Sequence, residues 1–403
     1  MIHTLSNGLR IIHEHREAPV VYCGYVVCCG TRHEDAADSG MAHFIEHMTF
    51  KGTRRRRSFH ITNCLERVGG DLNASTSKQE TVYTATVLRK DVARAIDLLS
   101  DMVFHSEYPQ AEIDREVEVI CDEIDSYLDS PAELIFDEFE SMVFANHPLG
   151  RDILGQAERL RTYTTADALR FARKYYVPAN CAFYVYGDVD FKQVVKCLER
   201  ATADVPVVPK PTLQCLPHSY TPSQREVSKQ THQAHVVLGA PAFGADDDRR
   251  FALLLLNNVL GGPGMNSRLN TSVREKAGLV YSIDSYLNTY PDCGFWNVYF
   301  GCDPKDVKRC MRLIARELDK IAATPMTPHQ LRAAKQQLIG QIGISCDSSE
   351  GYALALGKTF AHYNVHRDVQ NICREVEALT PEQLQQIAQE VYAPDRITTL
   401  IYQ

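Results

Sequence analysis

The sequence predicts an α+β protein made of two duplicated domains, each a mainly antiparallel sheet covered by helices. Three observations carry this. A proline-rich seam, DVPVVPKPTLQCLP at residues 204–217, interrupts the chain near its middle. On either side of it the chain repeats one grammar of helix, proline break and strand, as TTADALRFARKYYVPANCAFYVYG from Thr164 and TPEQLQQIAQEVYAPDRITTLIYQ from Thr380. Ala172, Tyr176, Pro178 and Tyr186 recur at one constant offset as Ala388, Tyr392, Pro394 and Tyr402. The domains drawn from this are residues 1–205 and 229–403, with a linker over 206–228.

The elements follow in order. VVYCGYVVCCG, residues 20–30, is a buried strand whose adjacent Cys28 and Cys29 point to opposite faces. GMAHFIEHMTFKG, residues 40–52, reads as an apolar-flanked helix, and RRRR at 54–57 as a solvated loop and helix start rather than an anion site. DLNASTS and QETVYTATV form two strands after Gly70, and AEIDREVEVICDEIDSYLDSP, residues 111–131, is an acidic helix with Val117, Ile120 and Ile124 inward. Past the seam, HVVLGAPAF repeats the buried strand, a helix follows it, and Gly278 precedes further strands as Gly70 does. The offset that aligns these two glycines places Phe251, Leu254 and Leu255 opposite His43, Glu46 and His47. The second copy keeps the helix without its polar groups, so the fold does not require them.

Composition narrows the function. At 403 residues, with 44% hydrophobic and 23% charged content, the chain can bury two sizeable cores. A net charge of −8 speaks against nucleic acid as a partner. The opening MIHTLSNGLRIIHEH is no signal peptide, and FALLLL at 251–256 is too short to span a bilayer, so the expectation is a cytoplasmic protein with no membrane partner. The 13 cysteines show no CxxC pair and read as small core residues. LALGKTF at 354–360 lacks the first glycine of a phosphate loop, and LGGPG lacks the flanks of a dinucleotide loop. His60, His105, His235 and His362 have no partner at ligand spacing and read as structural.

HFIEH carries the chemistry. Histidines four apart leave one face of a helix and offer two nitrogens to one metal, and Glu46 lies along that face. A catalytic zinc needs a third protein ligand and an open position. On the acidic helix, Glu116 and Glu123 are seven residues apart and share a face.

These residues resemble the inverted zincins related to pitrilysin and the mitochondrial processing peptidases. HFIEH looks like that family's HxxEH, Glu123 matches its third ligand, and Glu116 matches an acidic residue one heptad earlier. GGDLNASTSKQETVY, HPLGRDILG and LGGPGMNSRLNTSVREKAGLVYS extend the likeness over nearly the whole chain. The resemblance implies one Zn²⁺ per chain on His43, His47 and Glu123, with Glu46 as general base for peptide hydrolysis. It makes Asn73 and Ala74 substrate contacts on an edge that takes an extended peptide as an added strand, and Phe50 an aromatic lining the cleft. Arg274 and Tyr281 match a pair that grips substrate carbonyls and the developing oxyanion. In the long members that pair comes from the half facing the zinc domain, and a chain of this length is one half. The expectation is therefore a homodimer with shared sites, acting on peptides or unfolded polypeptide inside a closed chamber. The alternative is a non-catalytic or heteromeric partner subunit of a processing-peptidase-like complex.

Overall fold

The computed structural model describes residues 1–212, 219–229 and 231–403; Cys215 and the end of the proline-rich seam lie outside them. Of the described residues, one unit takes Met1–Asp125, residues 151–212 and Ser345–Arg367, and a second takes Ser126–Gly150, residues 219–344 and Asp368–Gln403. The first unit's strands are β1 (Ile2–Thr4), β2 (Arg10–Glu14), β3 (Val20–Val27), β4 (Asp71–Thr76), β5 (Thr81–Leu88) and β6 (Cys181–Tyr186). The second has β7 (Gln224–Val227), β8 (Ala234–Ala242), β9 (Val280–Thr289), β10 (Gly294–Cys302) and β11 (Thr398–Tyr402).

The sheets are ordered β1-β2-β6-β3-β5-β4 and β7-β11-β8-β10-β9. Without β1 they are one topology: β2 and β7 run parallel to β6 and β11, and the remaining neighbours are antiparallel. The linker drawn over 206–228 therefore has to be corrected. It contains β7, the counterpart of β2, which the polar string QREV did not betray.

Helices α1 (Met41–Met48), α2 (Ser58–Glu66), α3 (Val92–His105), α4 (Gln110–Leu128), α6 (Ala157–Leu160), α7 (Thr165–Tyr175), α8 (Phe191–Ala201) and α12 (Ser349–Tyr363) serve the first unit, α4 crossing its boundary in the last turn. Helices α5 (Pro131–Val143), α9 (Arg249–Gly261), α10 (Val307–Ala323), α11 (Pro328–Ser345), α13 (Val369–Ala378) and α14 (Pro381–Val391) serve the second. The duplicated ends start alike: Thr164 and Thr380 each close a capping box, accepting from the N–H of Asp167 and Gln383. Of the glycines just before β4 and β9, Gly69 (φ 76°) and Gly278 (φ 63°) take the left-handed conformation, so the partner of Gly278 is Gly69, one residue before the Gly70 that the offset selects.

A second correction concerns the domain division. Helix α12 comes from the C-terminal half of the sequence but covers the first sheet, where Leu356 and Phe360 pack on Ile12, Val26, Val82 and Tyr184. Gly357 permits this approach, since a Cβ there would lie 2.3 Å from a Tyr184 ring carbon. Arg10 donates to the last carbonyls of α12, Phe360 and Ala361, and buried Glu80 pairs with Lys358 (2.9 Å) and His362 (2.8 Å). Helix α5, from the N-terminal half, covers the second sheet in the same way, with Leu134, Ile135 and Phe139 against Val237, Phe295 and Leu400. Both sheets are thus buried on both faces, so CAFYVY and TTLIY are buried at every residue.

The first core holds Phe44, Ile45 and Met48 of α1 with Ile96 and Leu99 of α3, and Cys28 and Cys29 do fall on opposite faces of their sheet. Five of the described cysteines, Cys64, Cys197, Cys293, Cys346 and Cys373, are half-buried rather than core. Among the described residues no helix is long and apolar enough to cross a membrane.

Candidate metal centre

Helix α1 is short and held at its start. Gly40 precedes it at φ 78°, and the buried Glu34 carboxyl accepts from the N–H of Gly40 (3.0 Å) and Ala42 (2.8 Å), satisfying donors at the start of the helix; burial pushes this carboxyl up to about 8 despite those bonds. Its apolar face is in the core, which turns His43, Glu46 and His47 toward α4 and β4. His43 Nε2 lies 3.8 Å, and His47 Nε2 3.6 Å, from one oxygen of Glu123 on α4. The ligand atoms of these three residues all lie within 4.8 Å of one another.

These separations are too long for hydrogen bonds. They suit atoms facing a common ion, because nitrogens and oxygens about 2.0–2.1 Å from a tetrahedral metal stand about 3.3 Å apart. Two imidazole nitrogens and a carboxylate are the donor set of catalytic zinc, so the residues present fit the metal.

Neighbouring groups fix how these donors are presented. Burial, followed by the nearby His47, pushes His43 down to about 3, so its ring is neutral with a lone pair to give. Glu116 on α4 takes the other side of His47: its Oε1 is 3.0 Å from Nδ1, while its Oε2 meets Lys51 Nζ at 2.5 Å. When Nδ1–H donates to that carboxylate, Nε2 is the nitrogen left to face Glu123 and a metal, the orientation second partners give to ligating histidines. Burial works to raise Glu116, but its bonds to His47 and Lys51 outweigh it and the carboxyl is held below its ordinary value. Glu46 moves the opposite way. Burial raises its proton affinity, offset in part by the Thr76 hydroxyl, which donates to Oε2 at 2.6 Å, and by His47.

Strand β4, which carries Thr76, is an edge of its sheet, pairing among the described residues only with β5. Asn73 projects to the exposed side and accepts from the Ala74 N–H at 2.8 Å. The Ala74 side chain and Phe50 are instead half-buried against the first core. A contact from Ala74 to an added strand is therefore a backbone contact.

Arg274 and Tyr281 belong to the second unit. Arg274 sits on a π-helical segment, Asn270–Glu275, where its Nη1 donates to Asn270 Oδ1 at 3.2 Å and its guanidinium lies 6.0 Å from the Tyr281 ring. Tyr281, on edge strand β9, is 86% exposed. The structure thus gathers the predicted residues into two groups, one in each unit. Three participants escaped sequence reasoning. Lys51, four residues past His47, and Thr76, inside LNAST, left a positional signal; Glu34 left none.

A helix offering two histidines beside a facing carboxylate, on a sheet with an open edge, defines a metallopeptidase scaffold. Residues 10–157 match the family described as Insulinase (Peptidase family M16), and residues 162–338 match the Peptidase M16 inactive domain. An uncharacterized zinc protease of Streptomyces coelicolor is 34% identical over 96% of this chain and 86% of its own length. The zinc protease YmxG of Bacillus subtilis is 32% identical over 99% and 97%. This chain belongs to peptidase family M16. Two crystal structures share its fold: a protease from Helicobacter pylori (TM-score 0.90, 22% identity, 100% of this chain and 99% of that one) and a peptidase M16 inactive domain from Pseudomonas fluorescens (0.91, 20%, 100% and 97%).

Proposed function

We propose that this protein is a cytoplasmic zinc endopeptidase that hydrolyses peptides or unfolded polypeptide segments inside a chamber closed by two copies of the chain. The observation that carries this reading is the convergence of His43, His47 and Glu123, with Glu46 on the same helix. One Zn²⁺ per chain, held by those three residues, would polarise the scissile carbonyl and bring a water's pKa to about 7. Glu46 takes the proton from the attacking water and passes it to the leaving amine; its raised proton affinity suits both halves of that transfer. Thr76 fixes one Glu46 oxygen, leaving the other for the water. Glu116 and Lys51 hold His47 in one tautomer and orientation.

Substrate adds to the open edge of β4 as a strand, beside Asn73 and Ala74, with Phe50 against the cleft. Arg274 and the exposed Tyr281 reach substrate carbonyls and the oxyanion of the partner copy's site. A non-catalytic subunit is the second reading. The name of the matched inactive domain bears on the second half of the chain, where Phe251, Leu254 and Leu255 stand in place of the polar groups; the first half keeps all of them. The test is metal analysis joined to digestion of an unbiased peptide library read by mass spectrometry. One zinc per chain and internal cleavages are expected; a zinc-loaded protein that cleaves nothing would leave the partner-subunit reading standing.

A further inference from the structure

The run RRRR at 54–57 is not uniformly a solvated face. Arg55 and Arg56 are spent on carboxylates of α3: Arg55 forks onto Asp97 at 3.0–3.1 Å, and Arg56 pairs with Asp97 and with buried Asp101. Arg54 has no such partner among the described residues. It lines a cavity of about 670 Å³ between the 54–55 loop, α3 and the C-terminal end of α8, together with Arg55, Arg94 and Arg200.

Four guanidiniums face this cavity against two carboxylates, Asp97 and Asp204, and both carboxylates are occupied, the second by His105 at 3.1 Å. Arg94 reaches only Asp91, at 3.7 Å, and Arg200 meets only the Cys197 sulfur, at 4.0 Å. Among the described residues the Arg54 and Arg200 guanidiniums therefore have no carboxylate partner, and Arg94 meets its one, Asp91, only at ion-pair distance through Nε. Ala93 and Ala201 leave room between these side chains. The volume is that of a small-molecule site. A positive recess on a chain of net charge −8 is not explained by solubility, since the chain's net charge is already far from zero without it.

We propose that this cavity binds a small organic ligand carrying two phosphate groups, one held by Arg54 and the other by Arg94 and Arg200. Phosphate is the anion whose oxygens match guanidinium forks two at a time. The spread of Arg54, Arg94 and Arg200 over a loop and two helices calls for two anionic groups rather than one. None of these residues belongs to the metal centre, so the site is separate from the peptidase chemistry.

The zinc-loaded protein is titrated by calorimetry at low salt with fructose 1,6-bisphosphate, a probe that competes poorly for zinc, and with inorganic phosphate. The expected result is one bisphosphate per chain, bound at least ten times more tightly than phosphate. Arg54→Ala, Arg94→Ala and Arg200→Ala should each weaken it five-fold or more and the triple variant abolish it. Arg173→Ala, which removes an exposed arginine elsewhere in the same unit, should leave it unchanged. Half-buried Cys197 lines the cavity, so the bisphosphate should also slow its alkylation, mapped by mass spectrometry. Absence of saturable binding, equal losses from Arg173→Ala and the cavity variants, or phosphate binding as tightly as the bisphosphate would overturn the proposal.

Discussion

Glu116 and Glu123 lie on one face of one helix, yet they have different neighbours, and replacing each should separate them by metal affinity. Glu123 is the only carboxylate in the three-residue cluster. Zinc sites that bind with about 10–16 kcal/mol share that energy among three or four ligands, so Glu123→Gln should cost about 3 kcal/mol or more, roughly 100-fold or more in Kd. Glu116 touches the far nitrogen of His47 and Lys51. Loss of such a partner costs about 10- to 100-fold, or about 1.4–2.7 kcal/mol. In Glu116→Gln the amide oxygen still accepts from Nδ1–H, which places that variant near the 10-fold end. Glu116→Ala removes the acceptor and should approach 100-fold. Zinc Kd measured by competition with a chelator of known affinity, with circular dichroism to confirm folding, gives the order. Glu123→Gln binding zinc as tightly as Glu116→Gln would refute the assignment of the third ligand.

Other expectations follow from the fold and the proposed assembly. Gly357→Ala and Gly340→Ala should shift Tm in opposite directions: the first drives a Cβ into Tyr184 and costs about 1–3 kcal/mol against about 1 kcal/mol of helix propensity, whereas the second meets nothing within 4 Å and keeps the gain. Two shifts of the same sign would refute the close approach of α12. Burial alone would raise Glu80, but His362 and Lys358 win and hold it at about 2, below its ordinary 4.5. Its contribution, about 3 kcal/mol, is therefore complete above pH 4.5 and lost as pH falls toward 2. The Tm gap between the wild-type protein and Glu80→Gln should close across that window, and a gap independent of pH would count against the ion cluster. Mixing Glu46→Gln with Tyr281→Phe under verified subunit exchange should return about a quarter of wild-type activity, since about half the dimers are hybrids with one intact site. No gain over the average of the two variants would rule out the shared site.

Much of the fold was legible because the duplication is written in conserved spacing within the chain itself. The helix-break-strand ends at Thr164 and Thr380 became capped helices and fully buried strands at matching positions. The HFIEH helix was legible because two histidines and a glutamate replace the apolar Phe251, Leu254 and Leu255 of the second copy. The exchange of α5 and α12 was not, because an amphipathic pattern says that a helix is covered without saying by which sheet. Strand β7 carries no such signal either: QREV is polar and exposed almost throughout, with no apolar alternation. Glu34 sits six residues before the helix end it stabilises, a spacing with no periodic signature.

The central claim is that Glu46 moves the proton while His43, His47 and Glu123 hold the metal, and one variant divides those roles. Glu46→Gln preserves the side chain's shape and its bond from Thr76 but cannot take a proton from water. Zinc content and peptide hydrolysis measured on the same sample should show metal near one per chain and kcat/KM down by at least about 100-fold, within the range general acid–base catalysis supplies. A zinc-loaded Glu46→Gln enzyme turning over within ten-fold of wild type would contradict the account.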